Sequence, residues 1–287
     1  MRPRIVAIIA AVFGLPASIL VAGEVLSHPA HKSVGQPPSD LRAASVQIHA
    51  ATGQSVSGWI ARGTPGVGAV LLLHGVRADR REMIGRARFL HNLGYSVLLI
   101  DLPAHGESSG DHITFGLAEG QGVTAALTYL SREFPAEKIG VIGVSLGAAS
   151  LVLSKPSVHL SAVILESMFP TIQEAVADRL NIYLGPFGES LTPLLLWQLP
   201  LRLNISPEQL RPIIELPSLH APLLVAAGSV DRNTTLAETE RIYAAASGPK
   251  DLWIVDGAAH VDLHAFDSKA YEARVSVFFA KHLRSAG

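Results

Sequence analysis

The chain has no cysteine, although it contains twelve histidines among its 287 residues. This absence excludes disulfide bonds, thiolate metal sites and a cysteine nucleophile. It does not identify the redox compartment, because many exported proteins also lack cysteine. An excess of charge of one sign is missing too, since the formal net charge is -1 and no long basic run occurs. The sequence therefore has no charge pattern for binding nucleic acid.

The overall composition is that of a folded protein with a large core. Hydrophobic residues make up 48% of the chain and charged residues only 16%. Such a chain is able to bury a substantial apolar core, which excludes an intrinsically disordered protein. Its length fits one large domain with a small additional segment.

Residues 1–27 predict a membrane-targeting segment. Arg2 and Arg4 precede the uncharged run "IVAIIAAVFGLPASILVA" at residues 5–22. At roughly 1.5 Å per residue, a helical run of this length is about long enough to cross the hydrocarbon of a bilayer. A cut after Ala22 would place Leu20 at the position where signal peptidases need a small residue. We therefore expect an uncleaved anchor with the following domain on the non-cytoplasmic side, and a cleaved signal peptide of a secreted or periplasmic protein is the alternative.

Residues 28–40, "HPAHKSVGQPPSD", predict a linker because they are rich in proline and polar residues. From residue 41 onward, short β-rich runs alternate with helical patterns. The expected strands are 45–50, 56–61, 68–73, 95–100, 138–143, 161–166, 222–227 and 251–256, and the expected helices lie near 80–93, 117–133, 147–154, 236–247 and 267–284.

The hydrophobic pattern of these strands indicates their surroundings. The first two alternate between apolar and polar residues, as half-covered antiparallel strands do, and the later ones are continuously apolar, as strands buried on both faces are. This order predicts a doubly wound α/β sheet with helices on both faces. One long, leucine-rich and proline-punctuated stretch at residues 167–219 interrupts the alternation.

Polar side chains follow the ends of the predicted parallel strands, where ligands gather in such sheets. Ser145 stands in "GVSLG", a G-x-S-x-G match between a predicted strand and a predicted helix. The ends of the other strands carry His74-Gly75-Val76, Asp101 with "LPAHGES", Asp231, and His260. A serine hydroxyl is a poor nucleophile by itself, so Ser145 needs a base, and His260 is the candidate that follows the last strand.

The ordered motifs "LLLHG", "DLPAHGES", "GVSLG", "LLVAAGSVD" and "DGAAH" resemble the successive landmarks of the α/β-hydrolase superfamily. The resemblance extends from about Leu41 to Leu283, so that residues 41–287 form the hydrolase domain. Within the superfamily, the chain is most similar to bacterial membrane-anchored serine hydrolases of the monoacylglycerol-lipase or serine-aminopeptidase-like branch. The fold implied is an eight-stranded, mostly parallel sheet with a small cap at about residues 167–219.

The resemblance also implies the roles of the site residues. Ser145 is the nucleophile, His260 the base and Asp231 the acid that orients it, while Glu166, at the end of an earlier strand, is an alternative acid. The backbone N–H groups of Val76 and Leu146 form the oxyanion hole. The residues of the supporting loops, which shape the oxyanion loop and the turn near the nucleophile, are His74, Gly75, Asp101 and His105.

These residues predict a serine hydrolase that cleaves a small-molecule carboxylic ester, thioester or amide without a cofactor. A serine peptidase of the same fold and a non-catalytic binding protein are the alternatives. Asp262 and His264 in "HVDLH" have no second cluster at ligand spacing, so we expect a solvated surface and no metal site. The apolar stretch "LTPLLLWQLPL" at 191–201 is consistent with an acyl-pocket wall, with packing inside the cap, or with contact to a membrane.

Overall fold

The computed structural model describes residues 15–284 of the chain. The strands in this part are β1 (Ala30–His31), β2 (Ala44–His49), β3 (Ser55–Ala61), β4 (Ala69–Leu73), β5 (Ser96–Ile100), β6 (His105–Gly106), β7 (Ile139–Val144), β8 (Ala162–Glu166), β9 (Leu223–Gly228) and β10 (Lys250–Val255). Eight of them form one sheet in the order β10-β9-β8-β7-β4-β5-β3-β2, and β1 pairs with β6 in a second, two-stranded sheet.

The main sheet confirms the predicted mostly parallel, eight-stranded architecture of the α/β-hydrolase fold. Only β3 runs antiparallel to its two neighbours, β2 and β5, and the remaining pairs are parallel. Each strand lies within one residue of its predicted bounds. The expected half-exposure of β3 is wrong, because Val56 to Ala61 are all buried. Its side chains pack on both faces, with Val56 and Ile60 in one core cluster and Trp59 and Ala61 in the other.

Helices connect the strands and cover both faces. They are α1 (Leu15–Ser27), α2 (Ile84–Asn92), α3 (Leu117–Glu133), α4 (Leu146–Leu153), α5 (Ile172–Leu184), α6 (Thr192–Leu196), α7 (Gln198–Leu203), α8 (Pro212–Glu215), α9 (Leu236–Ala245), α10 (Leu263–Phe266) and α11 (Ser268–His282). Of the predicted helices, 117–133 coincides with α3, and 80–93 consists of a 3-10 turn at Arg80–Met83 followed by α2.

The apolar core lies in two layers, one on each face of the sheet. On β4, Leu71 and Leu73 point into the layer shared with α3 and α4, while Val70 and Leu72 point into the layer shared with α2 and α11. This alternation follows from the two-residue period of a strand. Because the strands that carry them are parallel, the polar residues that follow these strands collect at the same edge of the sheet.

Residues 167–219 form the cap between β8 and β9, with α5 to α8 and intervening 3-10 turns. A small apolar cluster of its own holds the cap together, and its buried members are Ile172, Leu196, Leu199, Ile205 and Leu210. The stretch 191–201 therefore contributes to packing inside the cap. The same stretch also exposes Leu194, Trp197 and Leu201 by 43%, 64% and 67%.

Helix α1 and the residues that follow it, before residue 41, lie against the rest of the protein. Residues 28–40, predicted to be a linker, contact the folded protein, because β1 pairs in parallel with β6 and a 3-10 helix covers Ser39–Leu41. Main-chain hydrogen bonds from Ala30 N to Ala104 O (2.8 Å) and from Lys32 N to Gly106 O (2.9 Å) hold this segment. Proline and polar residues suit such a docked strand as well as a free linker.

The predicted membrane segment lies only partly in the described chain. Residues 5–14 fall outside it, and residues 15–22 belong to α1. Across residues 15–284, none of the helices has the length and apolar character needed to cross a bilayer.

Candidate active site

Ser145 occupies a sharp turn between β7 and α4. Its backbone has φ 48° and ψ -106°, a conformation that non-glycine residues rarely adopt. The turn is tightly packed, since a Cβ on Gly143 would lie 2.7 Å from Ala148 N and one on Gly147 would lie 2.6 Å from Leu73 O. Both glycines of "GVSLG" are therefore needed for this close approach, and together they present the Ser145 side chain at the carboxyl edge of the sheet.

His260 and Asp231 meet at the same edge, beyond β10 and β9. His260 Nδ1 lies 2.8 Å from Asp231 Oδ2, and because a carboxylate only accepts, Nδ1–H is the donor and Nε2 keeps its lone pair. Asp231 Oδ1 accepts from the N–H groups of Asn233 (2.8 Å) and Thr234 (3.0 Å). Burial acts to raise the pKa of Asp231, but the hydrogen bonds from His260 and these N–H groups outweigh it and hold the pKa below its ordinary value. Asp231 is therefore ionised at neutral pH.

Ser145 and His260 are not joined by a hydrogen bond in the described chain. Ser145 is almost completely buried, with 4% of the residue exposed, whereas the side chain of His260 is 21% exposed. Contacts between a nucleophile and its base are often long in unliganded hydrolases and shorten when substrate binds.

Glu166, the alternative acid, has other partners. Its two carboxylate oxygens accept from Arg86 Nη2 (2.6 Å) and from the hydroxyl of Tyr271 (2.5 Å). Arg86 and Glu166 are each only 1% exposed, so this is a fully buried ion pair. The geometry therefore assigns Asp231, and not Glu166, as the partner of His260.

Arg86 also reaches the loop that carries His260. Its Nη1 lies 2.8 Å from Asp262 Oδ1, and Asp262 caps α10 by accepting from the N–H groups of His264 and Ala265. The His264 ring contacts Glu272 at 3.0 Å. Arg86 thus links the end of β8 to the His260 loop, a role that no motif signals.

Within residues 15–284, no group of three or more His, Cys, Asp or Glu side chains is arranged to hold a metal ion.

The loop after β4 is held by its own buried side chains. The N–H of Leu102 donates to His74 Nε2 (3.0 Å), so the proton of this imidazole is on Nδ1, which donates to Gly75 O (2.7 Å). The N–H of Gly75 donates to Glu82 Oε2 (2.7 Å), a contact that the sequence did not suggest. The loop therefore has a fixed backbone path next to Ser145.

Two N–H groups near Ser145 remain available for a ligand. The N–H of Val76 makes no hydrogen bond within the described chain. Leu146 is the first residue of α4, and its N–H is one of those that lack an acceptor inside a helix. Helix N-termini also favour negative charge. These are the properties expected of an oxyanion hole, for which backbone donors suffice.

Asp101 and His105 form part of the supporting turn after β5. Asp101 is buried and accepts from the N–H groups of Arg80 (2.7 Å) and Glu107 (2.8 Å), and it forms an ion pair with the Arg80 guanidinium. His105 Nδ1 contacts Pro103 O at 2.9 Å. Both side chains are tied to their own turn and therefore have a structural role in this arrangement.

The two buried imidazoles predict a loss of stability in acid. Burial first, and then the neighbouring His105, lowers the pKa of His74 to about 3, and burial lowers the pKa of His105 to about 4. In the unfolded chain a histidine has a pKa of about 6.5, so the unfolded state binds these protons first. The free energy of unfolding therefore keeps its full value above this pH. As the pH drops below it, each histidine lowers the free energy of unfolding by about 1.4 kcal/mol per pH unit.

We therefore expect His105→Gln to reduce the difference in unfolding free energy between pH 7 and pH 5 by about 2 kcal/mol, as measured by urea denaturation. His49→Gln, which changes an exposed histidine, is the matched control. An equally steep pH dependence in His105→Gln would contradict the assignment.

A cavity of about 360 Å³ opens at Ser145. Such a volume lies within the range of about 300 to 1,000 Å³ typical of small-molecule sites. Its floor includes Ser145, Leu146 and Val76, and the cap contributes apolar side chains such as Leu180 and Leu199. Residues of α1 also line it, which the sequence did not predict. The cavity is therefore mainly apolar and adjoins both the serine and the candidate oxyanion hole.

Comparison with known proteins identifies a family and two relatives. A family model described as "Alpha/beta hydrolase family" matches residues 70–274. A Mycobacterium tuberculosis protein described as uncharacterized is 32% identical over 231 residues, which cover 78% of this chain and 74% of the relative. A second relative, an uncharacterized protein of Bacillus subtilis, is 24% identical over 236 residues, or 80% of this chain and 77% of the relative.

Solved structures share the fold. A Pyrococcus furiosus esterase superimposes with a TM-score of 0.74 at 23% identity, covering 90% of this chain and 98% of the esterase. An alpha/beta hydrolase from a Penicillium species superimposes with a TM-score of 0.65 at 17% identity, covering 84% of this chain and 99% of that protein. Because the family match spans most of the sheet and the strand ends that carry Ser145, Asp231 and His260, the chain belongs to the alpha/beta hydrolase family.

Proposed function

We propose that this protein is a serine hydrolase that cleaves carboxylic esters through an acyl-enzyme on Ser145. Membership of the family supports a hydrolase. The observation that carries the proposal is the Asp231–His260 hydrogen bond of 2.8 Å at the sheet edge where Ser145 adjoins an apolar cavity. Each of these residues follows a different strand, so their convergence is a property of the whole sheet.

In the proposed mechanism, Ser145 Oγ attacks the ester carbonyl carbon while His260 Nε2 takes the hydroxyl proton. Asp231 keeps the imidazole in the tautomer with the proton on Nδ1 and stabilises its charged form. The negative charge that develops on the carbonyl oxygen is stabilised by the N–H groups of Val76 and Leu146. One such donor is typically worth about 3 to 4 kcal/mol in the transition state.

His260 then returns the proton to the leaving alcohol, and the acyl group remains on Ser145. A water molecule, activated in turn by His260, hydrolyses this acyl-enzyme and releases the acid. The apolar walls of the cavity favour an ester with a lipophilic acyl group over a peptide, because binding buries apolar surface of the substrate. Peptide cleavage by the same residues is the alternative reaction.

The test of the proposed function combines covalent labelling with a substrate series. The purified protein is expected to react with a fluorophosphonate probe and to hydrolyse p-nitrophenyl esters, with a preference for acyl chains longer than acetate. Aminoacyl p-nitroanilides serve as the comparison for peptidase activity. Preferred cleavage of the anilides would favour the peptidase, and absence of both labelling and turnover would favour a binding protein.

We further propose that residues 5–22 attach the protein to a membrane, with the hydrolase domain on the non-cytoplasmic side. The proposal is supported by the uncharged run behind Arg2 and Arg4. It is also consistent with the apolar side chains exposed on the cap, where Trp197 is 64% and Phe187 83% exposed.

Full-length protein is therefore expected to fractionate with membranes and to resist extraction by carbonate. Protease is expected to digest the protein when it is added to the non-cytoplasmic face, and not when it is added to the cytoplasmic face. Replacing Ile8 and Val12 together with lysine reduces the hydrophobicity of the run and is expected to release the protein. Recovery of wild-type protein free in the periplasm or medium, with a mature N-terminus near Gly23, would show that the segment is a signal peptide.

A further inference from the structure

Helix α1 lies in the seam between the cap and the loop that follows β4. From the cap, Gln198 Nε2 donates to Ile19 O (2.8 Å), and Arg202 pairs with the Glu24 carboxylate. From the loop, Arg77 donates to the carbonyls of Val25 and Leu26 at the end of the helix. The helix is thus held by side chains on both sides of the cavity mouth.

The fit of α1 in this seam is close. A Cβ on Gly23 would lie 2.4 Å from Gln198 Oε1 and 2.7 Å from Arg202 Nη1, so a larger residue would require the ends of these two side chains to shift. Ser27 is 2% exposed, and its carbonyl accepts from the N–H of Ile113 (2.9 Å). Immediately after it, β1 continues the attachment by pairing with β6. The position of α1 is therefore determined by contacts along its last two turns and beyond.

The same turns of α1 line the cavity at Ser145. Gly23, Leu26 and Ser27 contribute to its lining, together with apolar side chains of the cap. Leu26 is 39% exposed although it lies beside the cavity, so its side chain is accessible to a ligand. A residue that served only to pack α1 against the protein would be buried instead.

We propose that α1 is a substrate-binding element of the enzyme, in which Leu26 limits the length of the acyl chain that the cavity accepts. This inference rests on the proposed ester hydrolysis at Ser145 and deepens it to lipophilic acyl substrates. Arg77, Arg202 and Gln198 hold the helix in place, and Gly23 lets it approach the cap. The chemistry at Ser145 itself does not involve α1.

Two substitutions of Leu26 in the full-length protein test the proposal in opposite directions. Leu26→Trp places a larger side chain in the wall and so reduces the volume of the cavity. It is expected to lower the ratio of kcat/KM for p-nitrophenyl octanoate to kcat/KM for p-nitrophenyl acetate by at least about tenfold. Leu26→Ala enlarges the cavity and is expected to shift the preferred ester to a longer acyl chain. The rate of labelling by a small fluorophosphonate is measured on the same variants, so that a change in acyl-chain preference is distinguished from a change in the reactivity of Ser145.

Val21→Trp is the matched control, because Val21 is on α1 but is 62% exposed and does not line the cavity. If Val21→Trp changes the octanoate-to-acetate ratio as much as Leu26→Trp, or if neither Leu26 variant changes it, the proposal is wrong.

A binding measurement separates this proposal from the proposed hydrolysis. In a Ser145→Ala background, the affinity for a dansyl-labelled fatty acid is measured by fluorescence with and without Leu26→Trp. Weaker binding by about tenfold or more with Leu26→Trp supports α1 as a binding element even if wild-type protein proves to have no esterase activity. Equal affinity in the two proteins contradicts it, even if wild-type protein cleaves esters.

Discussion

Ser145→Ala is expected to abolish fluorophosphonate labelling and to lower ester turnover by about 10⁴-fold or more, because the attacking oxygen is removed. The measurements are in-gel fluorescence after labelling and kcat for p-nitrophenyl esters. The substitution deletes one oxygen from a side chain that makes no hydrogen bond of its own in the described chain. We therefore expect the thermal unfolding temperature to change little.

Ser150→Ala is a suitable control for Ser145→Ala. Ser150 is also buried and lies on α4, where its hydroxyl donates to Leu146 O (2.6 Å) within the helix. Its replacement is expected to leave labelling intact. Labelling that persists in Ser145→Ala would show that the nucleophile is a different residue.

Asp231→Asn is expected to lower kcat by about 10⁴-fold, because an amide in place of the carboxylate favours the wrong tautomer of His260. The structural reason is specific to this site. Oδ1 of Asp231 is occupied by two backbone N–H donors, so an asparagine turns its NH₂ group toward His260 Nδ1. The imidazole then carries its proton on Nε2 and is unable to accept one from Ser145. Steady-state kinetics with p-nitrophenyl esters measure the effect.

Glu166→Gln distinguishes the acid of the mechanism from a structural carboxylate. It leaves the buried Arg86 without its full counter-charge, so we expect a loss of about 3 kcal/mol in the free energy of unfolding. The kcat of the folded protein is expected to stay within about tenfold of wild type. Urea denaturation and kinetics on the same samples separate the two effects. A larger loss of kcat in Glu166→Gln than in Asp231→Asn would move the acid to the end of β8.

Most of the sheet was predictable from the sequence because its signals are local. A strand such as β4 is a continuous apolar run bounded by glycine and by His74-Gly75, and it reads as a strand without knowledge of its neighbours. The mostly parallel order of the strands follows from the helical patterns between them. β3 was only partly predictable, since its alternating sequence indicates one exposed face, which neighbouring elements cover.

The candidate site was predictable as a set of positions but not as a set of contacts. Strand ends in a parallel sheet share one edge, so the order of Ser145, Asp231 and His260 along the chain already indicated that they approach one another. Glu166 ends β8 and Asp231 follows the adjacent strand β9, so both carboxylates were candidates, with Asp231 favoured by the resemblance and Glu166 as the alternative. The choice depends on Arg86 from α2 and Tyr271 from α11, which engage Glu166 and leave Asp231 to His260.

The sequence by itself determined the fold class, the bounds of the eight strands of the main sheet, and the turn that presents Ser145, because periodicity, glycine spacing and apolar runs act over a few residues. Tertiary structure alone decided which carboxylate contacts His260, and that α1 and β1 dock beside the cavity. Docking of β1 uses main-chain hydrogen bonds to the β6 segment, more than seventy residues away. Such bonds leave no mark on the side-chain pattern, and so a proline-rich segment that reads as a linker forms part of the folded protein.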